Sequence, residues 1–284
     1  MRTLVHLSDL HFGRVDEALL APLRERLTAL GPDLVVVSGD LTQRARSEQF
    51  VQARQFLDTL PQPQLVVPGN HDVPLHNVFK RFVSPLKNFK RHIGNDLEPF
   101  FVDDEIAVAG INTARSLTFK DGRINQEQVA LLEARFHELD EPITKIVVTH
   151  HPFDLPEGSG DRDLVHRASM AMKAFAACGA DILLSGHMHL SRAGSTAARY
   201  ALGGYAALTI QAGTATSTRA RGEPNSFNAI HIDREEVRLE SYDWKPEAGV
   251  FSLATTATFG REAQGWRELE HTGAGAHAQG LRVP

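Results

Sequence analysis

The sequence predicts an α/β fold built on a parallel sheet, and three observations carry the prediction. From residue 3 to residue 67, apolar runs of strand length alternate with amphipathic stretches of helix length. That β-α-β-α-β order puts parallel strands beneath covering helices. Polar residues able to do chemistry follow the strands directly, and ligands of such sheets bind at the carboxyl ends of the strands. After residue 190 the pattern changes to short β runs near 199–203, 206–212, 227–232 and 236–242, which implies a second, largely antiparallel sheet.

Thr3 to Leu7 reads as the first strand and runs into Ser8-Asp9-Leu10-His11. Asp9 and His11 are two apart, so on an extended chain both project to one side. A helix is expected from Asp16 to Leu30, with Leu19, Leu20, Leu23, Leu27 and Leu30 as its apolar stripe and Gly31-Pro32 as its stop. Leu34 to Val37 is a second strand, ending in Ser38-Gly39-Asp40. A helix over 47–60 follows, with Phe50, Val51, Phe56, Leu57 and Leu60 inward and Pro61 at its end. Gln64 to Val67 is the third strand. It leads into Pro68-Gly69-Asn70-His71-Asp72, where Gly69 is expected to permit a sharp turn.

Residues 73–99 carry Phe79, Phe82, Leu86, Phe89 and Ile93 at helical spacing among lysines and arginines. They read as an amphipathic helix with a solvated basic face; a cap contacting an anionic substrate is the sharper alternative. Phe100–Val102 and Ile106–Ile111 suggest a hairpin around Asp103-Asp104. Arg115, just beyond it, either pairs with a carboxylate or reaches a phosphate. Asn125 and Gln128 form a capping box opening a helix through Leu139. Lys145–Val148 is a strand ending in Thr149-His150-His151-Pro152. After a Gly/Asp-rich loop, a helix runs to Cys178 with Gly179 as its stop. Ile182–Leu184 then runs into Ser185-Gly186-His187-Met188-His189. Residues 1–244 read as one domain. Beyond Trp244 the chain is rich in Ala, Gly, Thr and charge, so 245–284 is expected to be a loosely packed tail.

With 284 residues, 42% of them hydrophobic, the chain suits a globular protein with a sizeable core. A net charge of −5 gives no strong signal for nucleic acid or an anionic membrane. The single cysteine, Cys178, excludes an intrachain disulfide. No apolar run approaches the roughly 20 residues that span a bilayer, and no signal-peptide pattern is visible, so the cytoplasm is the expected location.

Five segments hold the chemistry: Asp9/His11, Asp40, Asn70/His71, His150 and His187/His189. All are placed on the edge of one sheet. Mixed nitrogen and oxygen donors without thiolate suit Mn²⁺, Fe or Zn²⁺. Seven side chains fill two sites if one carboxylate is shared, and two ions about 3.5–4 Å apart can acidify a water and clamp an in-line displacement at phosphorus.

Asp9-x-His11, Gly39-Asp40, Gly69-Asn70-His71-Asp72, His150 and Gly186-His187-x-His189 resemble the signature of the calcineurin-like metallophosphoesterase superfamily, in order, from residue 3 to about 243. The resemblance implies a four-layer αββα sandwich, two mixed β-sheets flanked by helices, with the active site at the C-terminal edge of the strands. It implies two divalent metal ions (Mn, Fe or Zn). Asp9, His11 and His189 would bind the first, Asn70, His150 and His187 the second, and Asp40 would bridge them. His71 would be the general acid that protonates the leaving alkoxide, and Asp72 would orient His71 or hold the loop. His151 would not be a ligand.

The run Gly39-Asp40-Leu41-Thr42-Gln43-Arg44-Ala45 lacks the second Asp and final Gly of the protein-phosphatase branch, and Gln43 stands where purple acid phosphatases place a Tyr ligand. The chain is most similar to bacterial class III cyclic-nucleotide and glycerophosphodiester phosphodiesterases. A small-molecule phosphodiester is therefore the expected substrate, attacked by hydroxide generated at the metal pair. A phosphomonoesterase or a lipid or nucleotide pyrophosphatase with the same metals stays open, as does a nuclease. A non-catalytic scaffold of the same fold is the alternative from another class. Oligomeric state is not readable, and Arg219 and Arg221 are candidates to face the substrate.

Overall fold

Strand β1 (Arg2–Leu7) is paired on both sides and buried from Leu4 onward, which places it inside a sheet. The computed structural model describes residues 1–75, 78–115, 121–139, 143–155, 163–218, 222–263 and 265–273. In it β1 pairs in parallel with β2 (Leu34–Ser38), which pairs in parallel with β3 (Gln64–Val67). On its other side β1 meets β10 (Ser226–Ile232), then β11 (Glu236–Lys245), β12 (Val250–Glu262) and β13 (Gly265–Gly273), all antiparallel. The result is one mixed seven-stranded sheet. A second mixed sheet of six strands runs in the order β4 (Phe100–Val102), β5 (Ile106–Gly110), β6 (Thr144–Val148), β7 (Ile182–Ser185), β9 (Leu208–Gln211), β8 (Arg192–Ser195).

Alternation along the strands sets the layers. Leu4, Val36 and Leu65 face Val108, Ile146, Ile182 and Leu208 between the sheets. Val5, Leu7, Val35 and Val37 turn outward onto α1 (Leu20–Leu30), α2 (Ser47–Leu57) and α4 (Lys87–His92), through Leu23, Leu27, Phe50 and Phe89. On the far side, Ala107, Val147 and Leu183 pack on α5 (Gln126–His137) and α6 (Ala168–Cys178), through Leu132, Phe136, Met172 and Phe175. The order is helix, sheet, sheet, helix. Gly31 and Gly179 end α1 and α6 in left-handed conformations, and the Asn125–Gln128 capping box opens α5. No helix of the described residues is long and apolar enough to cross a membrane.

Several expectations need correction. The strands after 190 do not form a sheet of their own. β8 and β9 join β4–β7, while β10–β13 extend the sheet that β1–β3 begin. Partner choice depends on contacts distant in sequence, which a local β pattern does not carry. The strand expected at 199–203 is replaced by Arg192–Ser195 and a 3₁₀ turn at Thr196–Ala198. The helix expected across 73–99 breaks into α3 (Val78–Val83) and α4, with Ser84-Pro85 between them, because proline lacks the N–H a helix interior needs. Arg81 is buried rather than solvated and donates to the Pro74 carbonyl at 3.0 Å. Val51 faces out of α2 at 39% exposure.

Within 245–284, β12 and the start of β13 pack onto the first sheet, while Arg267 to Gly273 are exposed. Phe251, Ala257, Phe259 and Trp266 are all buried, and β12 pairs with β11 along ten residue pairs. The Thr-rich run Thr255-Thr256-Ala257-Thr258 here is β-forming sequence, not linker composition.

Candidate metal centre

The carboxyl ends of β1, β2, β3, β6 and β7 converge, bringing Asp9, His11, Asp40, Asn70, His150, His187 and His189 together. They come from both sheets, not one: β1–β3 belong to the first, β6 and β7 to the second. The centre therefore straddles the seam of the sandwich.

Local backbone aims these groups. Asp9, His11, Asp40, His187 and His189 all have positive φ, between 53° and 70°. Non-glycine residues rarely adopt this left-handed region, and strain of this kind collects where function over-determines the backbone. Asp9 and His11 thus reach one point through left-handed turns rather than by extended alternation. Gly69 has an extended backbone (φ −105°), so a turn does not require it. Close approach does: a Cβ there would overlap Asp40 Oδ1. At Gly186 a Cβ would overlap Ser8 Oγ and crowd Asp9 Oδ2.

The donor set fits two ions. Donors held about 2.1 Å from one ion stand about 3.0–3.4 Å apart in octahedral or tetrahedral geometry. Asp9 Oδ1 lies 3.3 Å from His11 Nε2 and 3.4 Å from His189 Nε2. Asp9 Oδ1 and His11 Nε2 are buried without a hydrogen-bond partner among the described residues, as donors aimed at an ion would be. In the second group, Asn70 Oδ1 lies 3.1 Å from both His150 Nε2 and His187 Nδ1. Asp40 Oδ2 sits between the groups, 3.8 Å from His11 Nε2 and 3.4 Å from His150 Nε2.

Neighbours fix the orientation of each ligand, as outer contacts of metal sites do. His150 Nδ1 donates to the Ser38 carbonyl at 2.7 Å, leaving Nε2 for the centre. Thr214 Oγ1 meets His189 Nδ1. Ser8 Oγ donates to Asp9 Oδ2 at 2.7 Å, and the His71 N–H donates to Asp40 Oδ1 at 2.8 Å, which leaves Oδ2 to face both groups. His71 Nδ1 is 2.9 Å from the Gln43 carbonyl, which turns Nε2 away from the loop. The Asp72 carboxylate accepts from the backbone N–H groups of Leu41, Thr42 and Gly69 and from Thr42 Oγ1, tying the Asp40 loop to the Asn70 loop. Ser8, Ser38 and Thr214 carry no sequence signal as site residues, and Gln43 is marked only as standing where purple acid phosphatases place a Tyr ligand. Two of them act through backbone oxygen, which every residue has.

Electrostatics follow from crowding in a buried space. Burial works against the charge of Asp9, yet His189 and His11 outweigh it and hold the carboxyl below the usual range. The same balance, with His150 as the main counterweight, holds Asp40 low. Burial opposes protonation of His150, but the adjacent Asp40 charge prevails and pushes it up to about 9. Burial, reinforced by His150, pushes His187 down to about 3. Burial and then the Asp40 charge push Asp72 up to about 6.

The structure also brings in His151. One of its ring nitrogens lies within 4.8 Å of donor atoms of His150 and His187, and its Nδ1 is 2.8 Å from Thr113 Oγ1. Arg115 forms no ion pair with a carboxylate among the described residues; it donates to the Gln128 side-chain oxygen. Arg219 and Arg221 lie outside the described residues.

The chain is 32% identical over 178 residues to the glycerophosphodiester phosphodiesterase GpdQ of Enterobacter lignolyticus, covering 56% of this chain and 60% of that protein. It is 24% identical over 161 residues to a probable cyclic nucleotide phosphodiesterase of Synechococcus sp., covering 53% and 58%. The chain thus spans less than two thirds of these relatives. Among solved structures, a purple acid phosphatase from yellow lupin (Lupinus luteus) seeds superposes with a TM-score of 0.67 at 14% identity, over 92% of this chain and 54% of that one. A dimetal phosphatase from Danio rerio gives 0.62 at 14% identity, over 84% and 95%. At such identity these two show the shared fold. Residues 2–191, which carry all the converging ligands, match calcineurin-like phosphoesterase. The chain belongs to the calcineurin-like phosphoesterase family.

Proposed function

We propose that this protein is a dinuclear metal-dependent phosphodiesterase acting on a small-molecule phosphodiester. The observation that carries the metal half of the reading is Asp40 Oδ2, directed at His11 Nε2 and His150 Nε2 at once. Support for the diester half comes from relatives described as diester hydrolases.

Asp9, His11 and His189 would hold one divalent ion, Asn70, His150 and His187 the other, and Asp40 both. Once bound, such a pair supplies Lewis acidity and a water acidified towards neutrality. The chain's own residues do the rest. Buried Asp9 and Asp40 keep the negative charge that balances the ions. The Ser38 carbonyl holds His150 with Nε2 inward. His71, anchored through Nδ1 to the Gln43 carbonyl, presents Nε2 as a proton donor to the departing alkoxide. Asp72 locks the loops bearing Asp40 and His71 in register; in this reading it positions rather than reacts.

The test is steady-state turnover, after reconstitution with Mn²⁺, of bis-p-nitrophenyl phosphate beside p-nitrophenyl phosphate. Preference for the diester is expected. Preference for the monoester would move the protein to the phosphatase reading. Failure to take up any divalent ion would leave the scaffold reading in its place.

A further inference from the structure

A cavity of about 610 Å³ lies between the α3–α4 corner and the segment that follows β5. That volume is within the range of small-molecule sites. Its floor is apolar, with Leu86 and Ala114 buried and Leu97 beside them. Among the described residues its charged lining is wholly cationic: Lys87, Lys90 and Arg115 face it, and no described acidic residue does. None of the three forms an ion pair among the described residues. Glu98, the carboxylate whose field reaches Arg115, is engaged by Gln128 Nε2 at 2.6 Å. Arg115 is also part-buried; it reaches Glu98 only through Gln128, and a partly desolvated cation with no directly paired carboxylate gains from an anion brought to it.

Residues around the cavity are tied to the loops of the metal centre. Thr113 turns towards His151, while its neighbours Asn112, Ala114 and Arg115 line the cavity. Leu86 and Ala114 pack in one cluster with Leu41 and Val73, the residues next to Asp40 and Asp72. Asn88 Nδ2 of α4 donates to the Ala45 carbonyl at 2.9 Å, fastening the cavity wall to the Asp40 loop.

We propose that this cavity binds an organic anion, an apolar body ending in a carboxylate, sulfonate or phosphate, with Lys87, Lys90 and Arg115 holding the charge and Leu86, Leu97 and Ala114 the body. The same chemistry has two sources: the far end of the substrate, or a separate small molecule. The first rests on the phosphodiesterase reading; binding to the cavity does not.

The probe is 1-hexanesulfonate, whose sulfonate is a poor metal ligand, titrated calorimetrically into the metal-loaded protein at low ionic strength. Saturable one-to-one binding is expected. Lys87→Gln with Lys90→Gln should weaken it about tenfold, the order expected for hydrogen bonds to charged groups. Ser84→Trp, which narrows the cavity while keeping its charges, should weaken it independently, and unchanged melting temperatures check that both variants fold. No saturable binding, equal binding by both variants, or equally tight binding of 1-hexanol would overturn the proposal. Where binding holds, kinetics with bis-p-nitrophenyl phosphate identify the source. A rise in KM alone means the probe occupies the place of the substrate's own end; a change in kcat at constant KM, or no change, means a separate ligand. If no phosphoester is turned over while the probe still binds, the phosphodiesterase reading fails and the cavity stands.

Discussion

An aspartate that serves two ions must present one oxygen to both while its other oxygen is held. Asp40 meets this requirement through the His71 N–H on Oδ1, and this second role of the Asn70-His71 segment is invisible in the sequence. Asp40→Ala should therefore remove both ions and all turnover, measured as metal content and hydrolysis of bis-p-nitrophenyl phosphate. His71→Ala should behave differently: full metal content, little loss on a p-nitrophenyl leaving group, and a loss of about 10²–10⁴ on an alkyl diester that needs a proton donor. Equal turnover of the alkyl diester would remove His71 from the role of acid. His150 adds a pH-dependent expectation. Beside Asp40 in metal-free protein its pKa lies above the ordinary imidazole value, up to about 9, so it carries a proton at pH 7.5. Ligation requires neutral imidazole, so metal uptake there should release a proton, and the release should fade as pH rises through about 9. Calorimetry in buffers of different ionisation enthalpy reads this directly. That these side chains meet was legible at this scale, because residue type and spacing mark them. The left-handed backbone at Asp9, His11, Asp40, His187 and His189 was not, because residue names do not reveal a strained φ that tertiary contacts impose.

Elements were legible where the signal is local. α1, α5 and α6 lie where periodicity, the Asn125–Gln128 box and the stop glycines place them. The failures concern information that is not local. β12 and β13 looked like a tail because Thr, Ala and Gly dominate them, yet Phe259 reaches the core between the sheets and Trp266 Nε1 donates to the Asp181 carbonyl at 3.2 Å. Phe259→Ala should cost about 3–5 kcal/mol, the usual range for emptying a buried aromatic site. Urea unfolding measures it, and a loss near zero would return these strands to the status of an appendage. The break at Ser84-Pro85 is a different failure, because its signal, a proline, is local. The apolar spacing from Phe82 to Ile93 runs on past a proline that the helix cannot, and the corner thus formed is one wall of the cationic cavity.

At the scale of the molecule, the candidate metal centre lies where two sheets meet, beyond an apolar interface and polar contacts such as Asn228 Nδ2 to the Gln211 carbonyl at 3.0 Å. Asp9, His11, Asp40 and Asn70 ride on the ends of β1, β2 and β3, while His150, His187 and His189 ride on β6 and β7. Each ion would thus be held from both halves of the sandwich, and unfolding must release it. A ligand bound only by the folded state stabilises by about 2.7 kcal/mol when present at 100 times its dissociation constant. In a chain of this size that corresponds to a rise in melting temperature of several degrees. Reconstitution with Mn²⁺ should produce that rise, chelation should reverse it, and the size of the shift should grow with the logarithm of free metal. Asp40→Asn keeps the shape of the side chain but weakens the shared donor, so it should lose most of the shift, and its metal-free melting temperature should fall below that of the metal-free parent, because the carboxylate that offsets the buried His150 charge is gone. A metal-dependent rise of the same size in Asp40→Asn would mean that the ions are held without the shared carboxylate, and the two-ion reading would give way to one ion held by a single triad.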